Sequence, residues 1–125
     1  MNFNALLEIL NEMSETGSNA YTLNWGNGVV GVNVVFKPST KVLHNESGPA
    51  VELFYKDGKP KLISHYRDGQ LHNIKGPALE EYDQDGSLIE KKYYIKGKEV
   101  LPNEVSQAAK DYTDEDLDIL NDLNS

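Results

Sequence analysis

Hydrophobic positions in the first thirteen residues recur at helical spacing, with Phe3, Leu6, Leu7, Leu10 and Met13 on one stripe. The "SETGSN" that follows is rich in residues that end helices, so a helix is predicted over residues 1–16. The period then changes from helical to two. In "YTLNW", Tyr21, Leu23 and Trp25 point one way, and Thr22 and Asn24 the other. "GNG" at Gly26–Gly28 tolerates the positive φ of a tight turn. "VVGVNVVF" then sets Val30, Val32, Val34 and Phe36 on one face, with Gly31 and Asn33 on the wetter side. A β-hairpin is predicted over residues 20–36, and the preceding helix is placed to cover its apolar face.

Beyond Pro38 the chain repeats itself. "LHNESGPA" at Leu43–Ala50 returns as "LHNIKGPA" at Leu71–Ala78, and residues 43–70 align with 71–98 without a gap. Glu52 matches Glu80, Asp57-Gly58 matches Asp85-Gly86, Tyr66 matches Tyr94, and Gly69 matches Gly97. Each unit has a strand, an Asp-Gly turn, a second strand and a closing turn, "RDGQ" or "IKGK". Proline lacks a backbone donor, so Gly48-Pro49 and Gly76-Pro77 suit a corner where the chain enters a hairpin. His44 and His72 sit in the same corners. Val51 and Phe54 cannot share a face of an unbroken strand, and neither can Leu79 and Tyr82. Either a bulge intervenes or both faces are partly clothed; the latter is favoured, with no single deep core.

After Pro102 the pattern turns helical again. Thr113 is a suitable N-cap followed by acids, where a helix dipole favours them. An acidic helical tail is predicted over residues 103–125. The expectation is one domain over residues 1–125, mainly β (α+β). An antiparallel meander of hairpin repeats would form an elongated single-layer sheet between the N-terminal helix and the acidic C-terminal helix.

Composition sharpens this picture. Only 38% of residues are hydrophobic while tyrosine occurs 7 times, a balance that fits a flat shape better than a compact one. There is no cysteine, which excludes disulfides and thiolate metal sites. No stretch reaches the roughly 20 apolar residues of a membrane span, and the start lacks the pattern of a signal peptide, so a cytoplasmic chain is expected. Of the net charge of -8, residues 111–125 supply six acids and no Lys or Arg. Binding nucleic acid through a basic face is not expected. The acidic segment instead suits a basic partner surface.

The run from Tyr55 to Val100 resembles the variant MORN-type repeats of bacterial proteins, and "LHNxxGPA" is similar to repeat proteins of bacteriophages and large DNA viruses. The resemblance covers about residues 41–100. It implies a string of antiparallel hairpins used as a scaffold or interaction surface, and no conserved chemistry. Lipid contact of the kind proposed for some such proteins needs a basic face that this chain lacks.

The chemical readings are thin. Equivalent histidines one hairpin apart lie about 10 Å from each other, too far to share one ion. A structural role for His44 and His72 is therefore expected, with each imidazole bonding a turn backbone. His65 aligns with Tyr93 and is read as an amphipathic filler. The Asp-Gly turns lack the carboxylates of a calcium loop. Neither a catalytic motif nor a cofactor is expected. The expectation is a non-catalytic interaction module that binds a host protein, with candidate contacts at Tyr55, Tyr66, Tyr82, Tyr94, Asp114, Glu115, Asp116 and Asp118. The alternative is an assembly protein that associates with itself through its sheet.

Overall fold

The computed structural model describes residues 19–111. The helix predicted over residues 1–16 lies outside them, as do Thr113 and the acids Asp114, Glu115, Asp116 and Asp118. The described chain is mainly β. Its strands are β1 (Ala20–Asn24), β2 (Val30–Val35), β3 (Val51–Phe54), β4 (Pro60–Ser64), β5 (Tyr66–Arg67), β6 (Gln70–Leu71), β7 (Leu79–Tyr82), β8 (Leu88–Ile95) and β9 (Lys98–Val100), and α1 (Pro102–Asp111) follows. Seven strands form one antiparallel meander in the order β1-β2-β3-β4-β7-β8-β9, and β5 and β6 pair as a separate ribbon.

The registers show that the hairpin predicted over residues 20–36 is a third copy of the unit that the sequence displays twice. The first hairpin closes with Trp25 N donating to Val29 O (2.7 Å), the second with Tyr55 N to Lys59 O (2.9 Å), the third with Asp83 N to Ser87 O (2.9 Å). Each turn carries a glycine in the left-handed region, Gly28, Gly58 and Gly86, with φ of 83°, 91° and 89°. This is a type I turn followed by a bulge glycine. The ladder slips by one residue at the same place in each unit, between Leu23 and Asn24, Leu53 and Phe54, and Glu81 and Tyr82. A bulge is therefore present, but its extra residue, Lys61 or Ile89, lies on the returning strand, so β3 and β7 run unbroken and Val51 and Phe54, like Leu79 and Tyr82, keep to opposite faces. Every residue of β3 and β7 is half-buried, so both faces also carry cover.

The second turn explains why the first unit escapes notice. Asp68-Gly69 and Lys96-Gly97 both have positive φ at two successive residues, the signature of a two-residue type I′ turn. In the first unit Lys37 N reaches Val42 O across Pro38–Lys41, two residues more. The offset between the first and second units is therefore two residues longer than that between the second and third, which breaks a gapless alignment.

Side chains line up in rows across the strands. One row runs Leu23, Val32, Leu53, Leu62, Glu81, Glu90; the next runs Tyr21, Val34, Val51, Ser64, Leu79, Lys92. Val32, Val34 and Phe36 are buried, with Tyr21, Leu23, Leu43, Val51 and Leu53 packed around them. Full burial of such a side chain contributes about 1.5–3 kcal/mol. The core sits in the first two units, and the rows turn charged in the third. Gly31, expected on the wetter side, is buried. The adjacent row is polar: Thr22 Oγ1 donates to Asn33 Oδ1 (2.7 Å), and Asn33 Nδ2 to Glu52 Oε1 (3.5 Å).

Helix α1 occupies the start of the predicted tail. Leu101 acts as its N-cap, Pro102 takes the first helical position, and Glu104 Oε2 accepts from Leu101 N (3.0 Å), the half of a capping box that a leucine N-cap allows. Val105 and Ala108 are buried, and the helix lies against β8. No helix among the described residues is long and apolar enough to cross a membrane.

Candidate functional site

The strands end in two different edges, one made of corners and one of hairpin tips. At the corner edge the leucine, histidine, asparagine and proline of the octet each take part in a hydrogen bond. The carbonyls of Leu43 and Leu71 accept from Gly69 N (2.8 Å) and Gly97 N (2.9 Å). The imidazoles of His44 and His72 accept at Nδ1 from Asp68 N and Lys96 N, both at 2.9 Å. An imidazole accepting at Nδ1 carries its proton on Nε2, and in His44 that nitrogen lies 3.5 Å from Glu46 Oε1. Asn45 and Asn73 staple their own corners, with Nδ2 donating to Pro49 O and Pro77 O at 3.0 Å. Their Oδ1 atoms accept from Ser47 N (3.1 Å) and Lys75 N (2.9 Å). Gly48 and Gly76 stand beside those amides; a methyl group at either would meet the Asn Nδ2 at 3.7 Å and 3.9 Å, ordinary contacts.

Between the two corners lies a cleft of about 220 Å³. Asn45, Glu46, Ser47 and Gly48 line one side, Asn73, Ile74 and Lys75 the other, and His65, Tyr66, Arg67 and His72 complete it. Arg67 Nη2 lies 3.9 Å from Glu46 Oε1. Burial pushes the His65 imidazole below its ordinary pKa, against the opposing influence of Glu80, the Gly48 backbone and Glu52. In the turn bonded to His44, the hydrogen bond from Lys37 holds the Asp68 carboxyl below its usual range. The volume falls short of the roughly 300–1,000 Å³ of a small-molecule pocket and suits a single inserted side chain.

The tip edge is built differently. Trp25 Nε1 donates to Phe54 O (3.1 Å), and Tyr55 Oη donates to Tyr82 O (2.8 Å). Trp25 and Tyr55 hold equivalent positions, so each ring is tied to the next unit by the same bond. In the third unit the position is Asp83, whose carboxylate instead accepts from Asp85 N (2.9 Å) and Ser87 N (3.0 Å). The Lys56 ammonium lies 5.5 Å from the Trp25 ring centroid, and that of Lys61 5.7 Å from Tyr55. Together with Leu53, Phe54 and Gln84 these residues line a groove of about 440 Å³.

The four candidate tyrosines are thus divided. Tyr55 and Tyr82 belong to the tips, where Tyr82 Oη also donates to Glu80 Oε2 (2.6 Å), a bond that raises its pKa. Tyr66 and Tyr94 belong to the corners, at the position that Phe36 fills in the first unit. Trp25, Lys56 and Lys61 carry no signal of a site in the repeat pattern. Matching "WGNG" to "YKDG" turn for turn would have found Trp25. Among the described residues, no three His, Asp or Glu side chains gather closely enough to hold a metal ion.

Comparison with protein-family models, curated proteins and solved structures found no match.

Proposed function

We propose that the chain is a non-catalytic protein–protein interaction module, of the phage-encoded repeat type that its "LHNxxGPA" signature resembles, and that it binds and inhibits a host protein in the host cytoplasm. The three hairpin units form one elongated layer that presents its corners to the partner. The observation that carries this reading is the corner cleft, sized for one side chain and lined by Tyr66 and Arg67, residue types enriched where binding energy concentrates. Both corners are stapled by their own side chains, so little ordering entropy opposes docking. The acidic segment adds steering toward a basic groove, such as that of a nucleic-acid enzyme or defence factor.

The test is capture of a bacterial protein on the tagged full chain, from nuclease-treated lysate at low and high salt. Tyr66→Ala is expected to weaken stoichiometric binding by about 2 kcal/mol, with the circular dichroism spectrum unchanged. Joint replacement of Asp114→Asn, Glu115→Gln, Asp116→Asn and Asp118→Asn is expected to weaken it and flatten its salt dependence. A partner held equally by both variants removes this reading. No partner, with self-association on a sizing column, replaces it with the assembly alternative.

A further inference from the structure

We infer that the tip-edge groove is a second binding site, specific for a short acidic peptide segment that carries an apolar side chain. The rings of Trp25 and Tyr55 are fixed before any ligand arrives, because each is tied to the carbonyl of the neighbouring unit. Lys56 and Lys61 are exposed and pair with no carboxylate among the described residues; each ammonium is held over a ring instead. Two of the tip carboxylates, Asp57 and Asp83, are committed to their own turns. Asp57 accepts from Lys59 N (2.9 Å) and lies 3.9 Å from Lys59 Nζ, and Asp83 caps its own turn. The groove therefore offers an aromatic floor with Phe54 and two cations held over rings, on a protein whose net charge is -8.

That contrast selects the class of ligand. Attraction and repulsion are both screened beyond about one Debye length, roughly 8 Å, so a short segment meets mainly the two lysines, whereas a long polyanion also runs along the acidic remainder of the surface. A long polyanion is disfavoured, and a segment with two or three carboxylates around one apolar residue is favoured. The carboxylates would meet Lys56 and Lys61, and the apolar side chain would lie against Phe54. This site is at the opposite end of the strands from the corner cleft, so its failure leaves the corner reading standing.

Trp25 is the chain's 1 tryptophan, so its emission reports directly on the groove. The experiment titrates the full chain with a seven-residue peptide alternating glutamate with leucine. Parallel titrations use the glutamine analogue, the lysine analogue and a thymidine oligonucleotide. The expected result is a saturating emission change with the glutamate peptide alone. Affinity should fall roughly tenfold in the Lys56→Ala, Lys61→Ala double variant, whose exposed substitutions leave the circular dichroism spectrum unchanged, and it should be unaffected by Tyr66→Ala. Equal binding of the glutamine analogue, tighter binding of the oligonucleotide, or no emission change with any probe overturns the proposal.

Discussion

At the scale of single residues, the repeated octet becomes a set of physical requirements. Its final alanine is small because of what stands across the ladder. Val35 N donates to Ala50 O, and His65 N donates to Ala78 O, so these alanines sit in register between larger side chains. Ala50 and Ala78 are 1% and 0% exposed, leaving no room for a larger residue. His65 stands between them and yields a pH prediction. Burial lowers its pKa from 6.5, so the unfolded chain takes up the proton first. Stability from this group is therefore full above pH 6.5 and declines as pH falls through the window down to the folded value. Asp68 acts in a separate window. Its contribution is present above 3.8 and is lost as pH falls through its lowered folded pKa. Urea unfolding between about pH 7.5 and pH 5.5 should show the histidine slope, and His65→Tyr, the residue type the next unit uses, should flatten it. An equally steep slope in the variant would sink the assignment.

At the scale of elements, turn geometry fixes the hairpins. Gly69 and Gly86 both lie in the left-handed region, with φ of 81° and 89°. A methyl group at Gly69 would meet Val42 Cγ1 at 3.3 Å, whereas one at Gly86 would meet open space. Gly86→Ala carries the backbone penalty alone, about 1–2 kcal/mol, and Gly69→Ala is expected to cost more by the close contact. Denaturant midpoints of the two variants check the order, and a reversed order would mean the turn at Gly69 shifts freely. Helix α1 matters at this scale too. The octet's histidine position is filled by Val100 in the last unit, and the chain then leaves the sheet for a helix docked on β8.

At the scale of the molecule, the rows across the sheet change character from one end to the other. Leucine and valine hold the first units, and Glu81, Glu90 and Lys92 occupy the equivalent places in the last. Cooperative protection should follow that gradient. Amide hydrogen exchange is expected to be slowest in β2, β3 and β4 and faster in β7 and β8, measured on the full chain. Uniform protection would mean that α1 stabilises the third unit as strongly as the core does the first. The two edges also separate chemically. The corners present amides, Arg67 and Tyr66, and the tips present rings with lysines above them, so one strand layer can carry two recognition surfaces.

The sequence by itself determined the hairpins, their turns and the corner role of the octet, because these depend on neighbours: alternation, positive φ at glycine, and proline without a donor. Its gapless repeat defined two units. Only the tertiary structure decided that the first hairpin is a third, because equivalence there lives in ladder hydrogen bonds that tolerate a two-residue longer turn. It also decided which tyrosines share an edge. Tyr55 and Tyr82 are brought together across strands by the bond from the Tyr55 hydroxyl to the Tyr82 carbonyl, and Tyr66 is carried to the far end. No periodicity within one strand encodes such cross-strand neighbours, since they arise from register, and register is set by the whole sheet.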